Sequence, residues 1–380
     1  MTAMAAVLWG AVAVVVYVYL GYPCLIFVLA HLRPRPVRKE PIVPTVSFII
    51  AAYNEEAAIA AKLANTLALD YPADQLEILV ASDGSTDRTD AIVRSFAPRV
   101  RLVPVAGRLG KTIAQNRAVE VATGEILVFS DATTVYPAGS VRALVADFAD
   151  PAVGAVAARV VMGAETDETI VKGRSIYADY EFFLRRYESR FHSLLGAAGA
   201  AYAVRRRLYT PLEAHVISDF VQVVKVVEQG YRAVLEDDAI CFEPSESRSI
   251  GEELERRARV ITRGIHGQLY LAGFFHPLRH PWFCFQMLSH RLLRWAVPLF
   301  LAVVLAANAL LVMRPFYRAL FVAQAVFYLA AALAYLLERR NVRLPGLFIP
   351  LYFFVVNLAP LLALRALLRG EQKATWETGR

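Results

Sequence analysis

The chain is short of cysteine, with three thiols in 380 residues: Cys24, Cys241 and Cys284. Their spacing fits no metal-ligand pattern and offers no disulfide framework, which excludes a stapled secreted scaffold and suits a reducing compartment. The sequence also lacks a long basic run, an internal repeat and a low-complexity linker. A formal charge of +7 without any reading motif argues against nucleic acid as a partner. It fits anionic lipid headgroups or phosphorylated substrates instead.

Apolar residues are abundant, at 57% of the chain with a mean hydropathy of +0.42. Four stretches carry no charge and approach the roughly 20 residues that cross a hydrocarbon core as a helix: Met4 to Ala30, Trp295 to Met313, Ala319 to Leu337 and Leu344 to Leu364. The first lacks a basic leader and a small-residue cleavage site, so it reads as an anchor that stays. Arg33 to Lys39 ("RPRPVRK") follow it and favour the cytoplasmic face, which keeps the middle of the chain inside the cell. Glu338 to Arg343 obey the same rule if the second and third C-terminal stretches form a hairpin. Four spans would put Arg365, Arg369, Lys373 and Arg380 outside, against that rule, and Asn357 with Pro360 interrupts the last span, so a re-entrant segment stays open there.

The resulting division is an anchor with its basic flank over 1–37, a cytosolic domain over 38–268, interfacial helices over 269–294, transmembrane helices over 295–366 and a tail over 367–380. The expected location is the inner (plasma) membrane, multi-pass, with the folded domain in the cytoplasm.

Inside the cytosolic domain the apolar runs become short. Val46 to Ile50, Leu76 to Ala81 and Glu125 to Ser130 have strand length and branched residues, and helical patterns separate them at Glu56 to Leu69, Asp87 to Phe96 and Thr112 to Ala122. This alternation predicts an α/β domain with a parallel sheet covered on both faces, whose ligands gather beyond the carboxyl ends of the strands. Each strand runs into polar residues: "YNEE" from Tyr53, "SDGSTD" from Ser82 and "SDATT" from Ser130. Asp83, Ser85 and Glu55 could simply cap helices. Three acid-bearing turns at one sheet edge predict a shared crevice.

The segments "VSFIIAAYNEE", "LEILVASDGSTDRT", "GKTIAQNRAVEVATGEILVFSDA", "GAAGAAYAVRRRLY" and "ISDF" with "QGYR" together resemble the catalytic domain of family 2 glycosyltransferases, over roughly Pro41 to Gly267. The flanking helices resemble the membrane-embedded branch of that family. The resemblance implies a nucleotide-binding alternating α/β domain of GT-A type with N- and C-terminal transmembrane helices. It also implies a nucleotide-sugar donor, a UDP-sugar among the candidates, and inversion at the anomeric carbon.

By position, the resemblance puts Tyr53 and Glu55 around the nucleotide, Asp83 on the base and Lys111 on the diphosphate. Asp131 stands at the first acid of the family's metal-binding Asp-x-Asp, where Mg2+ or Mn2+ bridges donor phosphates. Thr133 replaces the second acid, so the implied site is loose. "GRLGKT" ends like a P-loop, but Val105 stands where the leading glycine belongs, and an ATP-binding reading fails on spacing.

The implied base that takes the acceptor proton is Asp219; Ser218 occupies the place of a second acid, and capping is the alternative role. Asp237 and Asp238 are rivals expected to face solvent or end a strand. The family's Gln-x-x-Arg-Trp becomes Arg256, Arg257, Ala258, Arg259 and Val260. Arg256 and Arg259 are candidate diphosphate clamps, with a lipid-facing basic surface as the alternative. The missing tryptophan counts against a long-polymer synthase.

The aromatic stripe from Tyr177 to His192 reads as a helix near the interface, and Pro277 to Trp295 as an interfacial helix without a full span. His266 and His290 read as structural. Three functions are weighed: an inverting transferase acting on a membrane-held, lipid-linked or glycan acceptor; a processive synthase that also translocates its polymer; and a non-catalytic nucleotide-sugar-binding module. Retention of Asp131 and Asp219 favours an enzyme.

Overall fold

A computed structural model describes residues 2–163, 169–244, 249–340, 342 and 346–370. Seven strands form one sheet: β1 (Val46–Ala52), β2 (Leu76–Ser82), β3 (Arg101–Pro104), β4 (Ile126–Asp131), β5 (Val153–Met162), β6 (Ala201–Arg205) and β7 (Arg232–Glu243), in the order β3-β2-β1-β4-β6-β5-β7. β1 is buried along its whole length because helices cover both faces. Side chains alternate between two cores. Ile49, Leu79, Phe129 and Tyr202 pack toward helices Lys111–Val121 and Ser218–Glu228. Phe48, Ile50, Val80 and Val128 pack toward helices Ile59–Leu67 and Ser140–Ala146. Truncating a fully buried ring such as Phe48 would cost about 3–5 kcal/mol.

The expected parallel pairing holds across β3-β2-β1-β4 and between β5 and β7. β6 runs antiparallel to both β4 and β5, so the sheet is mixed. Its five residues "AYAVR" are all buried, and such a run carries no sign of strand direction.

Four helices are long and apolar enough to cross a membrane by length and composition: Ala3–Leu32, Pro281–Leu310, Pro315–Glu338 and Phe348–Leu368. The second differs from the expected interfacial piece followed by a span. Pro281 starts the helix, where its missing N–H costs nothing, and the helix runs on through a π-helical turn at Met287–Leu292 and past Pro298 to Leu310. The last helix also passes unbroken through Asn357 and Pro360. Asn357 is satisfied locally: its Nδ2 donates to the Phe353 carbonyl at 2.8 Å, and its Oδ1 accepts the Tyr19 hydroxyl at 3.1 Å. Leu344, Lys373 and Arg380 lie outside the described residues.

Buried polar contacts tie the apolar helices to the α/β domain. Helix Thr169–Phe191, which holds the aromatic stripe, supplies Glu188; the Tyr22 hydroxyl donates to its carboxylate at 2.5 Å and His290 Nδ1 lies 2.8 Å away. Arg294 pairs with Glu181, about two helical turns earlier. His290 is therefore structural, as expected. Residues 33–45 form an extended strap between the first helix and β1. Arg232 donates to the carbonyls of Arg35 at 2.8 Å and Ser189 at 3.1 Å, and Lys39 pairs with Glu236 while lying 3.8 Å from Asp147.

Candidate active site

β1, β2 and β4 end flush. Ala51 stands opposite Ala81 on one side and Asp131 on the other, and Ala52 stands opposite Ser82. β2 and β3 lie on one side of β1 and β4 on the other, so the chain order reverses between β1 and β4, where a crevice opens at the strand ends.

The turns after β1 and β2 are laced together. Asn54, at φ +51°, accepts the Thr86 amide on its Oδ1 at 2.8 Å. The amide of Glu55 donates to Thr89 Oγ1 at 2.8 Å and that of Glu56 to Asp87 Oδ2 at 3.1 Å. Asp87 accepts the Thr89 amide at 2.9 Å at the start of helix Thr89–Ser95. The helix-start role considered for Asp83 and Ser85 thus falls to Asp87.

Asp83 does something else. It is fully buried, and its carboxylate accepts the amides of Leu109 at 2.8 Å and Gly110 at 2.9 Å. Burial pushes its pKa up while those two amides oppose the rise. Gly84, at φ +69°, touches the Gly107 backbone so closely that a Cβ would sit 2.6 Å from its carbonyl oxygen. The paired loops hold Arg108 4.2 Å over the Tyr53 ring and fix the start of the next helix at Lys111.

Lys111 reaches from that helix start to the Asp131 carboxylate at the end of β4, forming a part-buried ion pair. Gly199 lies against the same group: a Cβ there would stand 2.8 Å from Asp219 Oδ2 and 3.1 Å from Lys111 Nζ. Asp219 occupies the first turn of helix Ser218–Glu228, whose N-terminal boundary residue is Ile217 with no side-chain cap, so the capping alternative is not what is seen. Its Oδ1 is buried without a hydrogen-bond partner, and its carbonyl accepts the Ala197 amide at 3.0 Å. Ser218 Oγ donates to Gln115 Oε1 at 2.6 Å. Two carboxylates and an ammonium thus meet around a glycine.

Among the described residues no group of three His, Cys, Asp or Glu side chains is placed to hold a metal ion. The donor set is the one half-exposed carboxylate of Asp131, already holding a cation in the form of the Lys111 ammonium. Such a set fits a hard divalent ion that takes most of its oxygens from a bound phosphate and water rather than from protein.

The structure does not bring Arg256 and Arg259 into this cluster by any contact. Arg256 donates to Glu253 at 3.1 and 3.2 Å, Arg257 does so at 2.7 Å and stacks over Tyr177, and Arg259 is exposed. Glu253, nearly inaccessible at 1% exposure, explains why Arg256 turns away. Two arginines unsuspected from sequence lie within electrostatic reach of Asp219 instead: Arg263, four residues beyond Arg259 on helix Ile250–Tyr270, and Arg291 in the π turn. The spacing of Arg259 and Arg263 was a usable signal; Arg291 carried none. Asp237 pairs with Arg186 at 2.5 Å and Asp238 is exposed, so neither joins the cluster.

Residues 47–210 match the model of Glycosyl transferase family 2. A beta-monoglucosyldiacylglycerol synthase of Nostoc sp. is 29% identical over 207 residues, covering 52% of this chain and 44% of the relative. A poly-beta-1,6-N-acetyl-D-glucosamine synthase of Staphylococcus epidermidis is 32% identical over 114 residues, covering 29% of this chain and 27% of the relative. The chain spans less than half the length of these curated relatives. A mannosyltransferase from Pyrobaculum calidifontis, solved with GDP-Man and Mn2+, superposes with a TM-score of 0.73 at 26% identity over 96% of this chain and 99% of that one.

Proposed function

The chain carries a family 2 glycosyltransferase domain, and on that premise we propose that it is an inverting transferase moving a sugar from a nucleotide donor to a membrane-held, lipid-linked acceptor. Exopolysaccharide or envelope glycan assembly is the setting this reading suggests. The observation that carries it is the meeting of Lys111, Asp131 and Asp219 around Gly199, at the sheet edge where α/β domains bind nucleotides.

Asp219 is the base. Its unpartnered Oδ1 is available to take the proton of an acceptor hydroxyl as that oxygen attacks the anomeric carbon. Lys111 pairs with the donor's diphosphate once it exchanges Asp131 for phosphate oxygens. Asp83 holds the loop that frames the nucleotide, and Tyr53 and Glu55 line its mouth. Asp131 would hold Mg2+ or Mn2+, which when bound neutralises charge on the leaving diphosphate. The likeness to a mannosyltransferase solved with GDP-Man and Mn2+ supports a nucleotide-sugar donor and a divalent ion. Four apolar helices and the synthase of a glucosyl lipid among the relatives support a lipid acceptor, a multi-pass place in the plasma membrane and a cytoplasmic domain.

A processive, polymer-translocating synthase is the second reading, favoured by the Staphylococcus epidermidis relative. Against it, exposed Val260 stands where such enzymes hold the acceptor with tryptophan. The deciding experiment incubates the lipid-reconstituted chain with a panel of radiolabelled nucleotide sugars and Mg2+ or Mn2+, using Asp219→Asn as control. Short lipid-extractable products support the first reading and high-molecular-weight product the second. No turnover with any donor overturns both.

A further inference from the structure

Several arginines near the membrane junction have carboxylate partners: Arg186 has Asp237, Arg257 has Glu253 and Arg294 has Glu181. Arg263 and Arg291 do not. Arg263 Nε is buried without a hydrogen-bond partner, and neither guanidinium makes an ion pair among the described residues. Both lie within electrostatic reach of Asp219, with Arg259 adding like charge near Arg263 and Arg185 near Arg291; Arg291 also senses Glu181 and Glu188, but those acids are engaged by Arg294, His290 and the Tyr22 hydroxyl.

The surroundings make room for these charges. Arg291 lies 4.1 Å over the ring of Phe220, the residue after Asp219. Its Nη2 fills space that exists only because Gly196 is glycine, since a Cβ there would come within 2.6 Å. Gly267, one turn after Arg263, lets the helix approach the same ring, its Cβ position being 2.8 Å from Phe220. A π turn, which re-aims the side chains of a helix, carries Arg291. A buried guanidinium without an anion is unfavourable, so an arrangement that keeps two beside one carboxylate is built to receive another anion.

We propose that Arg263 and Arg291 form a subsite for a phosphate group of the acceptor, between Asp219 and the apolar helix Pro281–Leu310. This rests on the transferase reading above. The donor's diphosphate has its own partner in Lys111, paired with Asp131 at the end of β4, whereas Arg291 belongs to a helix that exposes Leu299, Val303, Leu305 and Leu310 further along. A phosphate carried on a lipid tail approaches from that side, and its bidentate recognition is what paired arginines provide.

The test uses the full chain in nanodiscs and two probes with identical tails, phosphatidic acid and diacylglycerol, with binding of UDP and GDP measured in parallel. The wild-type chain should bind phosphatidic acid and not diacylglycerol, and Arg263→Gln and Arg291→Gln should each weaken that binding about tenfold while nucleotide affinity holds within about twofold. If Arg291→Gln fails to fold, Arg291→Lys, which keeps the charge but not the fork, should show a partial loss. Equal binding of both lipids by the wild type, or nucleotide affinity falling in step with lipid affinity, overturns the proposal and in the second case returns the arginines to the donor. A chain that turns over a nucleotide sugar yet ignores phosphate refutes this inference alone. A chain that neither binds nor turns over any donor refutes the transferase reading.

Discussion

Gly199 lies so close to Asp219 that it cannot carry a side chain without displacing a carboxylate oxygen 2.8 Å from its Cβ position. Gly199→Ala should therefore push Asp219 or Lys111 out of place and lower turnover by at least about tenfold, the scale expected when a catalytic group is shifted by an ångström. Gly139→Ala, where no atom lies within 4 Å, is the matched control and should leave turnover unchanged. Steady-state kinetics alongside thermal melting of both variants decides the matter.

Asp219→Asn keeps shape and removes basicity. Turnover should fall by about 10²–10⁴ with little change in nucleotide affinity. Calorimetric titration with the nucleotide and single-turnover assays separate the two; a parallel loss of both would assign Asp219 to donor binding instead.

Asp131→Asn should release Lys111 and weaken nucleoside-diphosphate binding in the presence of Mn2+ more than in its absence. The measurement is the nucleotide affinity with and without the ion, and an equal loss in both conditions would contradict a metal-holding role for Asp131.

Asp83→Ala removes the acceptor for two buried amides and should cost about 1–3 kcal/mol of stability. Asp83→Asn retains one acceptor oxygen and should cost less. Denaturant melts rank the two variants, and an inverted order would show that the charge rather than the acceptor matters.

Asp147 gives a pH dependence. Burial, with Glu236 beside it, raises its pKa to about 8. The folded chain keeps this proton from about pH 4 up to about pH 8 whereas the unfolded chain releases it near 4, so the contribution to stability is present at low pH and is lost as pH rises through that window. Asp147→Asn mimics the protonated form. It should leave stability at pH 4 nearly unchanged and raise it progressively toward pH 8, by on the order of a few kcal/mol, read from melts at the two values.

Much of the cleft was legible because it is built from contiguous turns. "YNEE", "SDGSTD" and "SDATT" each follow a branched apolar run, so strand ends and acid positions could be read together, and Asp131 proved to lie at the end of β4. Asp87 rather than Asp83 took the helix start, since two acids four residues apart present the same local pattern and only the distant amides of Leu109 and Gly110 distinguish them. The motif that holds β6 carries no sign of strand direction, which depends on pairing with β4 and β5. Arg256 looked available because its partner, Glu253, lies three residues earlier on a face whose burial comes from packing of helix Phe348–Leu368 against its own helix. Arg291 was hidden for a related reason: in a stretch of Trp, Phe, His and Arg, periodicity does not tell which side chain a π turn will aim inward.

The strap of residues 33–45 has one more consequence. Arg232 grips it by main-chain carbonyls, so the grip is blind to which side chains stand at 35 and 36 and sensitive only to how many residues separate it from the first helix. The strap is a tether of fixed length. It sets how far the cleft can stand from the end of the first apolar helix, whatever side chains the strap carries.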